Sequence, residues 1–145
     1  MLGKKDNDEV SFVDQSEAYA RLIKNKSIPM CFLARFEKDP EGVAFRIKDR
    51  GIYKEISWRE DWEHVEEFSL GLIDLGLVRG DRVAIMGDPC PEWFYSDIAV
   101  LSAGAISFGV YSTSSPEETR YTVERTEAKF FIAENQEYVD KILQS

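Results

Sequence analysis

Histidine and cysteine are scarce in this chain: one histidine, His64, and two cysteines, Cys31 and Cys90, among 145 residues. A serine or cysteine nucleophile activated by imidazole would therefore have to use His64. The two thiols lie far apart, and neither has a second Cys or His at a metal-ligand spacing, which excludes a Cys/His zinc pattern. They read as reduced, partly buried thiols, with a structural disulfide as the alternative. Basic charge is also short, 18 Lys and Arg against 27 Asp and Glu, for a formal net charge of -9. Nucleic-acid binding needs clustered cations to neutralise phosphates, and no basic stripe appears, so no nucleic-acid partner is expected. The same balance argues against docking on an anionic membrane through charge. Long apolar runs are missing too. The longest uncharged stretch, Ile98 to Pro116, contains Gly104 and Gly109 and turns polar after Tyr111, too short to span a bilayer. It reads as a buried helix followed by a buried strand. Residues 1–9 have no apolar core, so no secretory signal is expected and a cytoplasmic location is.

What is present suits one globular α/β domain: 43% hydrophobic and 31% charged residues, on a chain long enough to bury roughly 68–70% of its unfolded surface. Residues 1–12 read as a loose polar arm, and 13–145 as the α/β unit. Ser16 to Lys24 could form a short helix burying Tyr19, Leu22 and Ile23. Pro29 can stand in the first turn of a second helix, with Ile28, Phe32, Leu33 and Phe36 on one face. Val43–Lys48 and Tyr53–Ser57 form a hairpin turning at Asp49-Arg50-Gly51, with Val43, Phe45 and Ile47 alternating against polar neighbours. Ser57-Trp58-Arg59-Glu60 has capping-box spacing. It opens a helix with a stripe of Trp58, Trp62, Val65, Ser69, Leu72 and Ile73, closed by Leu75-Gly76-Leu77. A strand over Arg82–Met86, a helix from Pro91 ending at Gly104, a strand over Ala105–Tyr111, a helix from Ser115-Pro116 to about Glu127, a strand over Lys129–Ala133 and a helix capped by Asn135 follow. Such alternation predicts a parallel sheet with right-handed crossovers.

Candidate chemistry is thin. Neither a Gly-x-x-x-x-Gly-Lys-Ser/Thr loop nor a Gly-x-Gly-x-x-Gly turn is present. His64 falls on the charged face of its helix with Glu63, Glu66 and Glu67, where solvated side chains outweigh a catalytic set. Trp58 and Trp62, at helical spacing with Val65 and Leu72, read as core and not as a stacking platform. Ser112-Thr113-Ser114-Ser115 leaves the carboxyl end of a strand and enters a helix, a place where parallel sheets bind ligands and helix N–H groups attract anions. Turn chemistry plus a cap explains the same residues and carries more weight.

From Ile28 onward the sequence resembles the amino-terminal region of the adenylate-forming superfamily of acyl-CoA synthetases, luciferases and adenylation domains. The resemblance rests on Ile28-Pro29, Ala44-Phe45, Ser57-Trp58, Leu75-Gly76-Leu77, Gly80-Asp81-Arg82-Val83-Ala84-Ile85, Pro91-Glu92-Trp93, Leu101-Ser102-Ala103-Gly104-Ala105-Ile106, Val110-Tyr111, Pro116-Glu117-Glu118 and Arg120-Tyr121. Each block is weak alone; their order and spacing make the match. Gly109 to Ser115 resembles the long-chain fatty acyl subgroup, and Asp88 departs from the asparagine of many relatives.

The resemblance implies an incomplete part of a large amino-terminal domain whose parent, a long-chain fatty acid–CoA ligase, uses ATP, Mg and coenzyme A on a fatty acid. The catalytic segments it implies are a Ser/Thr/Gly-rich loop ending in Pro-Lys, a Tyr-Gly-x-Thr-Glu segment, a ribose-binding aspartate and a carboxy-terminal lysine. None occurs in residues 1–145, so no catalytic, cofactor-binding or metal-binding residue carries over, and the expected partner is the remainder of the ligase beyond residue 145. Two other classes stay open: a stand-alone interaction module, and a flavodoxin- or receiver-like switch. The receiver form needs clustered aspartates after its first strand, where only Asp88 stands.

Overall fold

The structure is a computed structural model that describes residues 20, 24 and 26–144. The polar arm over 1–12 lies outside the described residues, as does nearly all of the short helix expected from Ser16 to Lys24, with Tyr19, Leu22 and Ile23. The first helix, α1, spans Ile28–Lys38, with Ser27 accepting the Met30 N–H and Pro29 in its first turn. Phe32 is buried, and Phe32 and Phe36 stack on Trp62 at 5.9 and 5.6 Å. Ile28, expected on the same face, is exposed because it precedes the part of the helix that meets its neighbours.

An antiparallel hairpin follows, β1 (Val43–Asp49) and β2 (Ile52–Ser57). Its two-residue turn holds both Arg50 (φ 49°) and Gly51 (φ 87°) at positive φ, the geometry that matches strand twist. The register shifts between Val43 and Phe45. Such a bulge breaks the two-residue alternation, which is why Val43 is exposed while Phe45 packs edge-on against Phe94 at 5.1 Å.

The third helix element of the sequence reading is α2, Trp58–Asp74. Its capping box is formed: Ser57 Oγ accepts the Glu60 N–H at 3.2 Å, and Glu60 accepts the Ser57 N–H at 2.8 Å. At the other end Gly76 turns left-handed (φ 95°), Leu77 N–H bonds Leu72 C=O at 2.9 Å, and Gly76 N–H bonds Ile73 C=O at 2.9 Å. These are the two bonds of a Schellman motif, and buried Leu72 and Leu77 supply its apolar contact. The buried stripe differs in two places from the expected one: Ile73 is exposed, and Asp61 is buried in line with Val65, Ser69 and Leu72.

The remaining elements are β3 (Arg82–Met86), α3 (Pro91–Ser102), β4 (Ile106–Val110), α4 (Pro116–Thr126), β5 (Phe130–Ala133) and α5 (Gln136–Leu143). The three strands make a parallel sheet in the order β4-β3-β5, with Ala84 opposite Phe108 on one side and Phe131 on the other. Val83 packs with Leu72 of α2 and Val100 of α3. Ala84 and Met86 pack with Val123 of α4 and Tyr138 of α5. Alternate residues of β3 thus face opposite helix layers, and Val83 to Met86 are all buried. The expectation that the Ala105–Tyr111 strand is covered on both faces is corrected: β4 is an edge strand, and Ile106 is 52% exposed. Two-sided burial belongs to β3, which alone among the described strands has parallel neighbours on both sides. Leu143, at the end of the last helix, is exposed.

Candidate functional site

Chain order and sheet order diverge at β3. The chain leaves β3 for β4 on one side and returns for β5 on the other, so the carboxyl ends of β3 and β5 flank a switch in direction. Parallel sheets open a crevice there. Here it is a cleft of about 500 Å³, walled by Phe68, Met86, Trp93, Tyr95 and Ile132, with Glu92 and Glu134 among its polar residues. A second hollow of about 440 Å³ lies toward the end of β4 and shares Gly87 and Trp93 with the first.

Trp93 lines both hollows and lies beside two glycines of the strand ends. A Cβ on Gly109 would meet indole Cζ2 at 3.4 Å and one on Gly87 would meet Cδ1 at 3.5 Å, both ordinary contacts; the tighter approach at Gly87 is to Glu134 Cβ at 3.1 Å. The indole is placed from its own helix start, where Cys90 is the cap and its Sγ accepts the Trp93 N–H at 3.4 Å. Ser96, one turn on, donates to Glu92 C=O at 2.6 Å.

The three strand ends are tied to one another. Glu134 Oε2 accepts the Asp88 N–H at 2.7 Å, and Glu134 N–H donates to Met86 C=O at 3.0 Å. Asp88 Oδ1 accepts from Ser112 Oγ at 3.2 Å, and Lys141 Nζ donates to Ser112 C=O at 2.7 Å. Three residues of the hydroxyl run have structural roles: Ser112 joins two strand ends, Ser114 N–H closes a turn on Tyr111 C=O, and Ser115 forms a full capping box with Glu118. Glu117 and Glu118 in the first turn of α4 place negative charge where an incoming anion would otherwise gain from the helix end.

The charged side chains of the cleft are acidic. Burial pushes the Cys90 thiol above its ordinary value, the Trp93 N–H at the helix start opposes that, and Glu92 and Glu134 push the thiol further up. Tyr95 is raised by burial and then by Glu92. No lysine or arginine is among the residues described as lining the cleft.

His64 is exposed, as expected, with its ring tilted on Tyr95 at 5.2 Å, and Glu63, Glu66 and Glu67 are also exposed. Trp58 and Trp62 pack around Phe32 as core, and the Arg35 guanidinium covers the Trp58 ring at 5.0 Å. Both cysteines are half-buried and unbridged. Two residues escaped sequence reasoning. Glu134 became a latch only through the pairing of β3 with β5. Asp61 sits on the buried stripe by spacing, but its charge hid it; it is 1% exposed, and burial raises its carboxyl to about 6 against a small opposing effect of His64.

The AMP-binding enzyme family matches residues 32–145. The long-chain-fatty-acid–CoA ligase ACSBG2 of Xenopus laevis is 32% identical over 118 residues, 81% of this chain and 16% of that protein. The long-chain-fatty-acid–CoA ligase ACSBG1 of Rattus norvegicus is 35% identical over 101 residues, 70% of this chain and 14% of that one. The chain thus spans about a sixth of the length of the curated relatives it matches. Among solved structures, the Klebsiella oxytoca NpsA N-terminal subdomain superposes with a TM-score of 0.68 at 24% identity, covering 75% of this chain and 27% of that one. The anthranilate CoA ligase AuaEII in complex with anthranoyl-AMP superposes with a TM-score of 0.70 at 23% identity, covering 78% and 21%. Identities this low speak to the fold, a mixed α/β unit shared with the N-terminal subdomain of adenylation enzymes.

Proposed function

The chain belongs to the AMP-binding family of adenylate-forming enzymes, and we propose that it serves as the amino-terminal scaffold of a long-chain fatty acid–CoA ligase. The observation that carries this reading is β4. Its residues are apolar or small, as suits a strand covered on both faces, yet it stands at the sheet edge with Ile106 open to solvent. A larger body beside β4, following residue 145, would cover that edge. The long-chain acyl subgroup is supported by the curated relatives of that description at 32–35% identity.

In this reading ATP, Mg and coenzyme A belong to the whole ligase. The parent couples a fatty acid to AMP, releases pyrophosphate and transfers the acyl group to the coenzyme A thiol. In keeping with that reading, no triphosphate or metal cradle is expected from this chain's residues. Asp88, Glu92 and Glu134 make the rim acidic, and the α4 end carries its own carboxylates. Lys141 is engaged with Ser112, while Lys129 is held by Asp81 and Gly76 C=O. No step of the reaction is therefore assigned to these side chains. No described helix is long and apolar enough to cross a membrane, and we place the parent in the cytoplasm, with peripheral membrane contact compatible with that location.

Calorimetric titration of the 145-residue chain with Mg-ATP and with coenzyme A tests the scaffold role. No saturable heat is expected for either; saturable micromolar binding of ATP to this chain alone would contradict it.

A further inference from the structure

We infer that the cleft between the carboxyl ends of β3 and β5 binds a small organic cation, an ammonium head on a short apolar stem. The ligase reading gives this cleft no ligand, so the inference goes beyond it. Three features of different origin converge. First, the walls include the rings of Trp93, Tyr95 and Phe68, and the Phe68 and Tyr95 rings meet edge to face at 6.2 Å. Aromatic faces attract cations through their quadrupole, most strongly where water is partly excluded. Second, Glu92 and Glu134 supply formal negative charge, with no Lys or Arg among the described lining residues to neutralise it. Glu134 uses Oε2 to hold the Asp88 N–H, and a carboxylate that accepts one such bond retains further acceptor sites. Third, the remaining floor is apolar, from Ile85, Met86 and Ile132. The volume of about 500 Å³ lies within the range of small-ligand sites.

The negative field is visible in the groups that face the cleft. Beyond the effect of burial, the Trp93 N–H favours the Cys90 thiolate, whereas Glu92 and Glu134 push Cys90 toward its neutral form, as Glu92 does Tyr95. The His64 ring is tilted on Tyr95 at 5.2 Å and is not among the lining residues. A carboxylate or phosphate ligand would meet two like charges in the cleft. A neutral ligand would use the floor and gain nothing from the charge of the two carboxylates. An ammonium with an alkyl stem satisfies both.

The test is a titration of the full chain followed by NMR at the Trp93 indole and the Asp88 amide, using n-butylammonium, 1-pentanol and pentanoate as probes. The expected result is saturable binding of n-butylammonium, on the order of millimolar, with the neutral and anionic probes about tenfold weaker or undetectable. Glu92→Gln and Glu134→Gln should each weaken n-butylammonium about threefold to fivefold. Both replace exposed side chains, and glutamine at 134 can still accept the Asp88 N–H, so folding is preserved. No n-butylammonium binding, equal binding of 1-pentanol, tighter binding of pentanoate, or unchanged affinity in both variants would each overturn the inference. None of these outcomes bears on the ligase reading, which rests on the sheet edge and the family match.

Discussion

Asp61 concentrates most of the residue-scale tension. Its carboxylate is buried in the first turns of α2, and neither oxygen has a hydrogen-bond partner; the Trp58 Nε1–H one turn earlier is also buried without one. Burial favours the neutral acid and moves its pKa from 3.8 to about 6, with the nearby His64 opposing weakly and Tyr95 the other titratable neighbour. The folded chain therefore binds more protons than the unfolded chain between pH 3.8 and about 6. Stability falls as pH rises through that window and stays lower above it, by up to about 3 kcal/mol. Asp61→Asn removes the ionisation. Its stability relative to the unsubstituted chain should improve from pH 4 to pH 7 by about 2–3 kcal/mol, read from urea midpoints at each pH. A difference that stays constant across that range would show that the carboxyl titrates normally.

Helix ends dominate at the scale of elements. Three helices close with the same pair of backbone bonds. In α2 the left-handed residue is Gly76, in α3 it is Gly104 (φ 76°), and in α4 it is Glu127 (φ 52°). At Gly104, Ala105 N–H bonds Val100 C=O at 3.2 Å, and Val100 and Ala105 pack into one core cluster with Leu72 and Leu77. A β-branched side chain at positive φ is strained, and a Cβ at Gly104 would lie 3.3 Å from Arg79 Cγ. Gly104→Val should cost about 2–4 kcal/mol. His64→Ala, which loses one exposed ring contact on Tyr95, should cost no more than about 0.5–1 kcal/mol. Denaturant midpoints in the reverse order would refute the placement of this helix end.

Elements of this kind were legible because their signals are local: serine or asparagine before a helix, glycine after it, and proline in the first turn. The register shift that exposes Val43 was not, since one unpaired residue in β1 depends on how β2 lies beside it. Glu127 at a left-handed cap was equally hidden, because its residue type does not announce that conformation. The rim followed the same division. The hydroxyl run could be read as a turn and cap, whereas the Glu134 latch needed β5 to pair with β3 across many residues of chain.

At the scale of the whole molecule, the order of helices and strands could be read from periodicity, but the neighbour relation of strands could not. An apolar strand looks the same in sequence whether it lies at the centre or the edge of a sheet. The result is a three-stranded sheet with β3 inside, a separate two-stranded hairpin, and exposed apolar side chains at Leu70, Leu75, Val78 and Ile106. Open strand edges and apolar surface favour association with whatever can cover them. The chain alone should therefore self-associate as its concentration rises, visible as an increase in mean mass by light scattering, and co-expression with the rest of the proposed ligase should suppress that increase.

ATP–pyrophosphate exchange tests the central claim most directly, measured with fatty acids of several lengths for this chain, for the rest of the ligase body, and for the two together. The scaffold account predicts exchange only when both are present, with long-chain acids preferred over amino acids. Full exchange by the rest of the body alone, or exchange by this chain alone, would contradict it.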